Sequence, residues 1–174
     1  MKGYHVFLAI LIAFALFYAG RHWYFKPRYV NGEVAPAFSA TLLNGAPFNL
    51  EDLRGKYVLL EFWGSWCGPC RAEHPALTAF YDQYHQKQYR NADGFEIVSV
   101  AIETSSERWQ QAIEKDGLVW PYHIGEFERF QSPIAKQYGV RELPTKYLIN
   151  PRGEIIGVNL SLEEMAKLLD DRTS

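Results

Sequence analysis

Cys67 and Cys70 are the only cysteines in this 174-residue chain, and they stand three positions apart. A disulfide acting as a structural staple joins distant segments, because its stabilisation grows with the loop it closes. A bridge across two intervening residues removes little chain entropy, so a staple explains this pair poorly. The spacing suits reversible exchange instead, in which one thiolate attacks a disulfide and the second resolves the mixed species. The lack of other thiols fits an oxidising compartment, where a stray cysteine would be trapped in wrong pairings. Zinc is the competing chemistry. His74 lies four residues after Cys70 on the same helical face, but there is no second C-x-x-C and the other histidines fall in unrelated segments. That leaves a structural zinc site short of ligands, and neither a metal nor any other cofactor is expected.

A reactive cysteine pair needs a helix to activate it. The stretch Val58 to Cys70 reads VLLEFWGSWCGPC, an apolar strand turning through Gly64-Ser65-Trp66 into a helix that starts near Cys67. The first cysteine then sits over unsatisfied backbone N–H groups and the positive end of the helix dipole, both of which favour thiolate. Cys67 is thus the expected exposed nucleophile and Cys70, one turn inside, the resolving thiol. Gly68 and Pro69 separate them, and Pro75 is expected to kink the helix.

Glu61 interrupts the apolar strand six residues before Cys67. It reads either as a strand-edge carboxylate facing water or as a buried general base whose pKa is raised by desolvation. The second reading is preferred, because an unpaired buried charge is otherwise expensive. Glu73, just past Cys70, reads equally as a solvated helix residue or a proton shuttle. Leu143-Pro144-Thr145 precedes a strand, so Pro144 is either an ordinary strand-start proline or a cis proline.

The remaining segments supply the frame. Residues 4–20 form an apolar run followed by Arg21, His22, Trp23, Tyr24 and Phe25, the pattern of a membrane span with an interfacial belt. A retained anchor is preferred over a cleaved signal peptide, for which Ala13-Phe14-Ala15 imitates a cleavage site, and over a buried soluble helix. Residues 21–33 read as a linker and 34–174 as the folded domain. Basic residues after the span outnumber Lys2 before it, which by charge alone would leave the domain in the cytoplasm; the thiol inventory favours export.

Within the domain, Phe38 to Leu42 with Asn44-Gly45 signals a hairpin, and Leu50 to Leu53 a short helical turn. Tyr57 to Trp63 and Phe95 to Ile102 read as buried strands. Thr104 to Glu107 reads as a capping box opening a helix that Gly117 ends. Val119 to Ile124 suggests a short strand, and Ser132-Pro133 opens a helix that Gly139 closes. Lys146 to Asn150 and Glu154 to Val158 read as a hairpin, and Ser161 to Glu164 as a second capping box. This order predicts an α/β fold, a central mixed sheet with helices on both faces, preceded by a transmembrane helix. The net charge of −2 gives no electrostatic footprint for nucleic acid.

FWGSWCGPC, Pro75 five residues after Cys70, and LPTKYLINPRGEIIG together closely resemble the thioredoxin superfamily. The N-terminal hairpin, the long segment between the motif and Pro144, and the apolar leader resemble its TlpA/ResA branch of membrane-anchored, extracytoplasmic thiol–disulfide reductases. The resemblance covers roughly Val34 to Leu169. It implies that Pro144 is the cis proline facing the disulfide and holding substrate backbone together with Leu143 and Thr145, and that Trp66 is the ring beside the nucleophile. It further implies that Glu61 is the buried acid of thioredoxin and Glu73 the acid of the ResA-like branch, and that Gly68-Pro69 is the dipeptide of reducing members. The expected partners are cysteine-containing exported proteins, among them apocytochrome c or copper-handling factors, and a membrane-embedded dithiol donor on the inner membrane. Alternatives are an oxidase or isomerase, a peroxiredoxin-like antioxidant protein, and a non-catalytic binding module.

Overall fold

The computed structural model describes residues 2–173. Helix α1 (Lys2–Tyr24) contains a 21-residue stretch, Tyr4–Tyr24, with a mean hydropathy of 1.7 and none of it buried against the rest of the molecule. At 1.5 Å per residue this is about 31 Å, the thickness of a bilayer's hydrocarbon core. The helix continues through Arg21 and His22, where the linker was expected to begin; basic side chains in a last turn favour the helix dipole and support that extra turn.

After the leader come β1 (Ser39–Thr41) and β2 (Pro47–Asn49), an antiparallel hairpin turning at Gly45, whose φ is +83°. Leu50–Leu53 forms a short 3-10 turn. The main sheet has five strands: β3 (Tyr57–Trp63), β4 (Phe95–Ile102), β5 (Tyr122–Glu126), β6 (Thr145–Ile149) and β7 (Ile155–Val158), in the order β5-β4-β3-β6-β7. β3 runs parallel to β4 and antiparallel to β6, so the sheet is mixed. The remaining helices are α2 (Gly68–Tyr84), α3 (Ser106–Asp116), α4 (Pro133–Tyr138) and α5 (Leu162–Asp170).

Alternation along the strands divides the core in two. Leu59 and Trp63, with Ile97 and Leu148, pack under α2, α3 and α5 through Leu77, Trp109 and Leu169. Leu60 and Phe62, with Val100 and Tyr147, pack against the hairpin and α4 through Phe48 and Tyr138. Every residue of β3 and β4 is buried, as strands covered on both faces require.

The segment between α1 and β1 closes one edge of the sheet. Gly32 N donates to Ile155 O (2.8 Å) and Ile155 N to Glu33 O (2.8 Å) at the start of β7, and Ala35 N donates to Gly153 O (2.9 Å) in the turn before it. The hairpin closes the other edge, with Leu43 N donating to His123 O (2.8 Å) on β5.

Two caps differ from the sequence expectation. The N-cap of α3 is Ser105, whose hydroxyl accepts from Arg108 N, so Thr104 and Glu107 do not form a capping box. At α4 the Ser132 hydroxyl turns back to accept from Glu128 N, and Glu126 takes over the cap by accepting from Ile134 N. The capping box at Ser161 and Glu164 forms as expected.

Candidate active site: a cysteine pair at a helix N-terminus

β3 delivers the chain to a turn at Gly64-Ser65-Trp66, and Cys67 follows as the N-cap of α2. Its Sγ accepts from Cys70 N at 3.3 Å, so the sulfur occupies the place of the oxygen in an ordinary cap. Cys67 and Cys70 are joined as a disulfide with an S–S distance of 2.04 Å. Cys67 keeps 5% of its surface exposed and Cys70 none. The first cysteine is more enclosed than the sequence suggested, but it alone of the two reaches solvent.

The turn is held from outside the motif. Ser65 donates both its N–H and its hydroxyl to the buried carboxylate of Glu103, the hydroxyl at 3.0 Å. Trp66 donates its indole N–H to Ile102 O at 2.8 Å and leaves 46% of its surface exposed beside Cys67. Phe130 meets its ring edge-on at 6.3 Å, and the Arg129 guanidinium lies 5.7 Å from its centroid. A Cβ on Gly64 would stand 2.9 Å from the Trp66 indole nitrogen and 3.2 Å from Ile102 O, so only glycine lets the indole lie there.

Beneath α2, three polar side chains cross the sheet in one row. Register pairs Glu61 with Ser99 on β4 and with Lys146 on β6, and alternation turns all three toward α2. Glu61 is fully buried. Its Oε2 accepts from the Ser99 hydroxyl (3.1 Å), which accepts from the Trp120 indole N–H (2.9 Å). Its Oε1 has no hydrogen-bond partner among the described residues. Burial pushes its pKa up to about 7, against the opposing pull of the Ser99 hydrogen bond and the Lys146 charge. The Lys146 ammonium, itself buried, donates to Glu73 Oε1 at 2.5 Å. Glu73 is therefore neither a free surface acid nor remote from Glu61: it shares a cation with the strand beneath.

His74, the imagined third zinc ligand, is fully buried, with Nδ1 2.7 Å from Asp116 Oδ2 and its ring edge-on to Trp63. Arg71 clasps the same carboxylate through two nitrogens, tying α2 to the end of α3. Burial lowers the His74 pKa, with Asp116 opposing. Among the described residues no three His, Cys, Asp or Glu side chains are grouped as a metal site.

The Leu143–Pro144 peptide bond is cis. Register pairs Thr145 with Phe62, which places Pro144 at the end of β3 from which the chain turns into the cysteine pair. Thr145 is buried and donates its hydroxyl to Glu142 O (2.8 Å), while Leu143 packs against both cores. Gly68 and Pro69 occupy the exposed first turn of α2, and the helix continues through Pro75. Sequence reasoning missed Ser99, Lys146 and Glu103. The first two carried a signal, Ser99 as a hydroxyl within the apolar run of β4 and Lys146 as a charge in the buried β6.

Comparison with known proteins agrees with this geometry. A thiol-disulfide oxidoreductase ResA of Bacillus thuringiensis is 34% identical over 125 residues, 72% of this chain and 66% of the relative. Its counterpart in Geobacillus thermodenitrificans is 37% identical over 124 residues, 71% of this chain and 66% of that one. The matched region thus spans about two thirds of these relatives' length. Among solved structures, the thioredoxin domain of a thiol-disulfide oxidoreductase from Bacteroides vulgatus superposes with a TM-score of 0.71 at 29% identity, covering 81% of this chain and 99% of that one. A putative thiol:disulfide interchange protein DsbE from Chlorobium tepidum gives a TM-score of 0.66 at 25% identity, with 82% and 96% covered. Residues 31–158 match the model of the AhpC/TSA family, and with this thioredoxin-like fold around Cys67 and Cys70 the chain belongs to that family.

Proposed function

We propose that this protein is a membrane-anchored thiol–disulfide oxidoreductase that reduces disulfides of exported proteins. The observation that carries the reading is the Cys67–Cys70 pair capping α2 above a buried carboxylate whose pKa stands at about 7. In the reduced enzyme the Cys67 thiolate, favoured by the helix N-terminus, attacks a substrate disulfide. One substrate sulfur leaves as thiolate and the other is bonded to Cys67. Cys70 then gives its proton to Glu61 and attacks Cys67 Sγ. The Cys67–Cys70 bond forms, the second substrate thiolate leaves, and two electrons have passed to substrate. A carboxylate with a pKa near 7 is matched to accepting a proton at neutral pH.

The exposed ring of Trp66, next to Cys67, and the half-buried Leu143 and Pro144 are the surfaces offered to the substrate chain, with the buried Thr145 holding the Pro144 turn through its hydrogen bond to Glu142 O. α1 serves as the anchor, with the domain on the extracytoplasmic side. Apocytochrome c and copper-handling factors are the candidate substrates, and turnover needs a membrane dithiol donor to return Cys67–Cys70 to the reduced state. The equilibrium reduction potential tests the direction. A reductase carrying Gly68-Pro69 is expected nearer −270 mV, roughly the thioredoxin value, and a potential above about −180 mV would overturn that reading in favour of an oxidase or isomerase.

A further inference from the structure

Where α1 meets the domain lies a cleft of about 550 Å³, lined on one side by Tyr24, Lys26 and Arg28 and on the other by Lys136 and Arg141. All four cations are exposed, and no acidic residue is among the described residues lining the cleft. The two walls are joined. Arg141 donates to Tyr24 O at 2.6 Å and its guanidinium lies 4.4 Å from the Tyr24 ring centroid. Arg28 donates to Lys136 O at 3.3 Å. Its stem lies over Gly139, where an added Cβ would come within 2.7 Å of it, so the left-handed glycine closing α4 also admits the linker. The Lys26 and Lys136 ammonium groups have no hydrogen bond or ion pair among the described residues.

Four like charges gathered around one cleft repel one another, and an anion seated there removes that cost. Position decides which anion. Tyr24 ends the 21-residue apolar stretch, and Trp23 and Tyr24 are exposed beside it as an interfacial belt. The cleft mouth therefore stands at headgroup depth. We propose that it binds the phosphodiester headgroup of an anionic phospholipid, so that the domain docks on the membrane surface through Lys26, Arg28, Lys136 and Arg141. The inference rests on the reading that α1 spans the bilayer. Glu142 and Leu143 follow Arg141 directly, so docking holds the Pro144 loop, and the cysteine pair beside it, toward the membrane, where a membrane dithiol donor would meet it.

The test uses the full chain in nanodiscs of phosphatidylcholine alone or with phosphatidylglycerol added. Backbone hydrogen exchange in residues 26–31 and 136–142 is followed by mass spectrometry. Anionic lipid is expected to slow exchange there by about threefold or more through fewer local openings. The slowing should vanish in the Lys26→Glu/Lys136→Glu double variant and fade at high salt. Equal exchange in both discs, or slowing that survives the double variant, overturns the proposal while leaving the anchor intact. Failure of the chain to co-elute with either disc overturns the anchor and the proposal together. Inorganic phosphate or polyglutamate added to phosphatidylcholine discs should not reproduce the protection; if either does, the cleft is an anion or acidic-peptide site and the lipid assignment falls.

Discussion

Folding carries Glu61 from an ordinary carboxyl pKa of 4.5 to about 7. The folded state therefore binds more protons than the unfolded one between these values, and stability declines as pH rises through that window. The difference corresponds to about 3 kcal/mol. Glu61→Gln keeps the acceptor for Ser99 and removes the titration, so it should stabilise the domain by up to about 3 kcal/mol above pH 7 and by little below pH 4.5. Denaturant unfolding at pH 4 and pH 8 checks this, and stopped-flow reduction of a model disulfide should show the resolving step slowed more than the first attack. If neither quantity moves, the proton of Cys70 goes elsewhere. Lys146→Met removes the cation that holds Glu61 down, so the pH profile of resolution should move upward by about one unit, the scale of a nearby opposite charge. An unmoved profile would mean that Lys146 serves Glu73 alone. Glu61 and Pro144 were legible in the sequence because each breaks a local pattern. Ser99 and Lys146 break it too, but they gain meaning only when strand register sets them on either side of Glu61. Glu103 reaches Ser65 across 38 positions, and no local spacing announces such a contact.

At the scale of elements, hydrophobic runs were read well. Tyr57–Trp63 and Phe95–Ile102 appear as strands with the expected ends, because continuous burial leaves no ambiguity of face. Caps were read less well. In Thr104-Ser105-Ser106-Glu107 several hydroxyls compete for one N-terminus, and backbone geometry decides for Ser105. β5 begins at Tyr122, three residues later than the expected Val119, because Pro121 has no N–H to give to the ladder and pairing with β4 starts just beyond it. The turn between β3 and α2 yields a sharp expectation. Gly64→Ala must push the Trp66 indole off Ile102 O or shift the strand, at a cost of about 1–3 kcal/mol, whereas Gly68→Ala meets nothing within 4 Å. Thermal unfolding of the two variants should therefore separate, with Gly64→Ala alone losing midpoint temperature. Equal midpoints would show that the indole moves freely.

For the molecule as a whole, the apolar run of α1 was legible from hydropathy, but its contact with the rest of the chain was not. Arg141 and Tyr24 are 117 positions apart, and only the closing of α4 by Gly139 brings the linker against it. The same stretch of chain has another consequence. A five-stranded open sheet has two margins, and each exposes backbone groups able to recruit a strand from another molecule. Here residues 32–35 pair with Ile155 and Gly153 at one margin, and Leu43 pairs with His123 at the other. A chain shortened to start at Phe38 keeps the cysteine pair and the hairpin but bares β7, and light scattering should show it self-associating with time, while a chain starting at Asn31 stays monomeric. Monomeric behaviour of both would mean that β7 is too short to template growth. Occupied margins also bear on how a client would be handled under the proposed function: a polypeptide would find no free strand edge at Ile155 or His123 to pair with. A client sulfur would instead be met beside the exposed Trp66 ring at Cys67, the one part of the pair that reaches solvent.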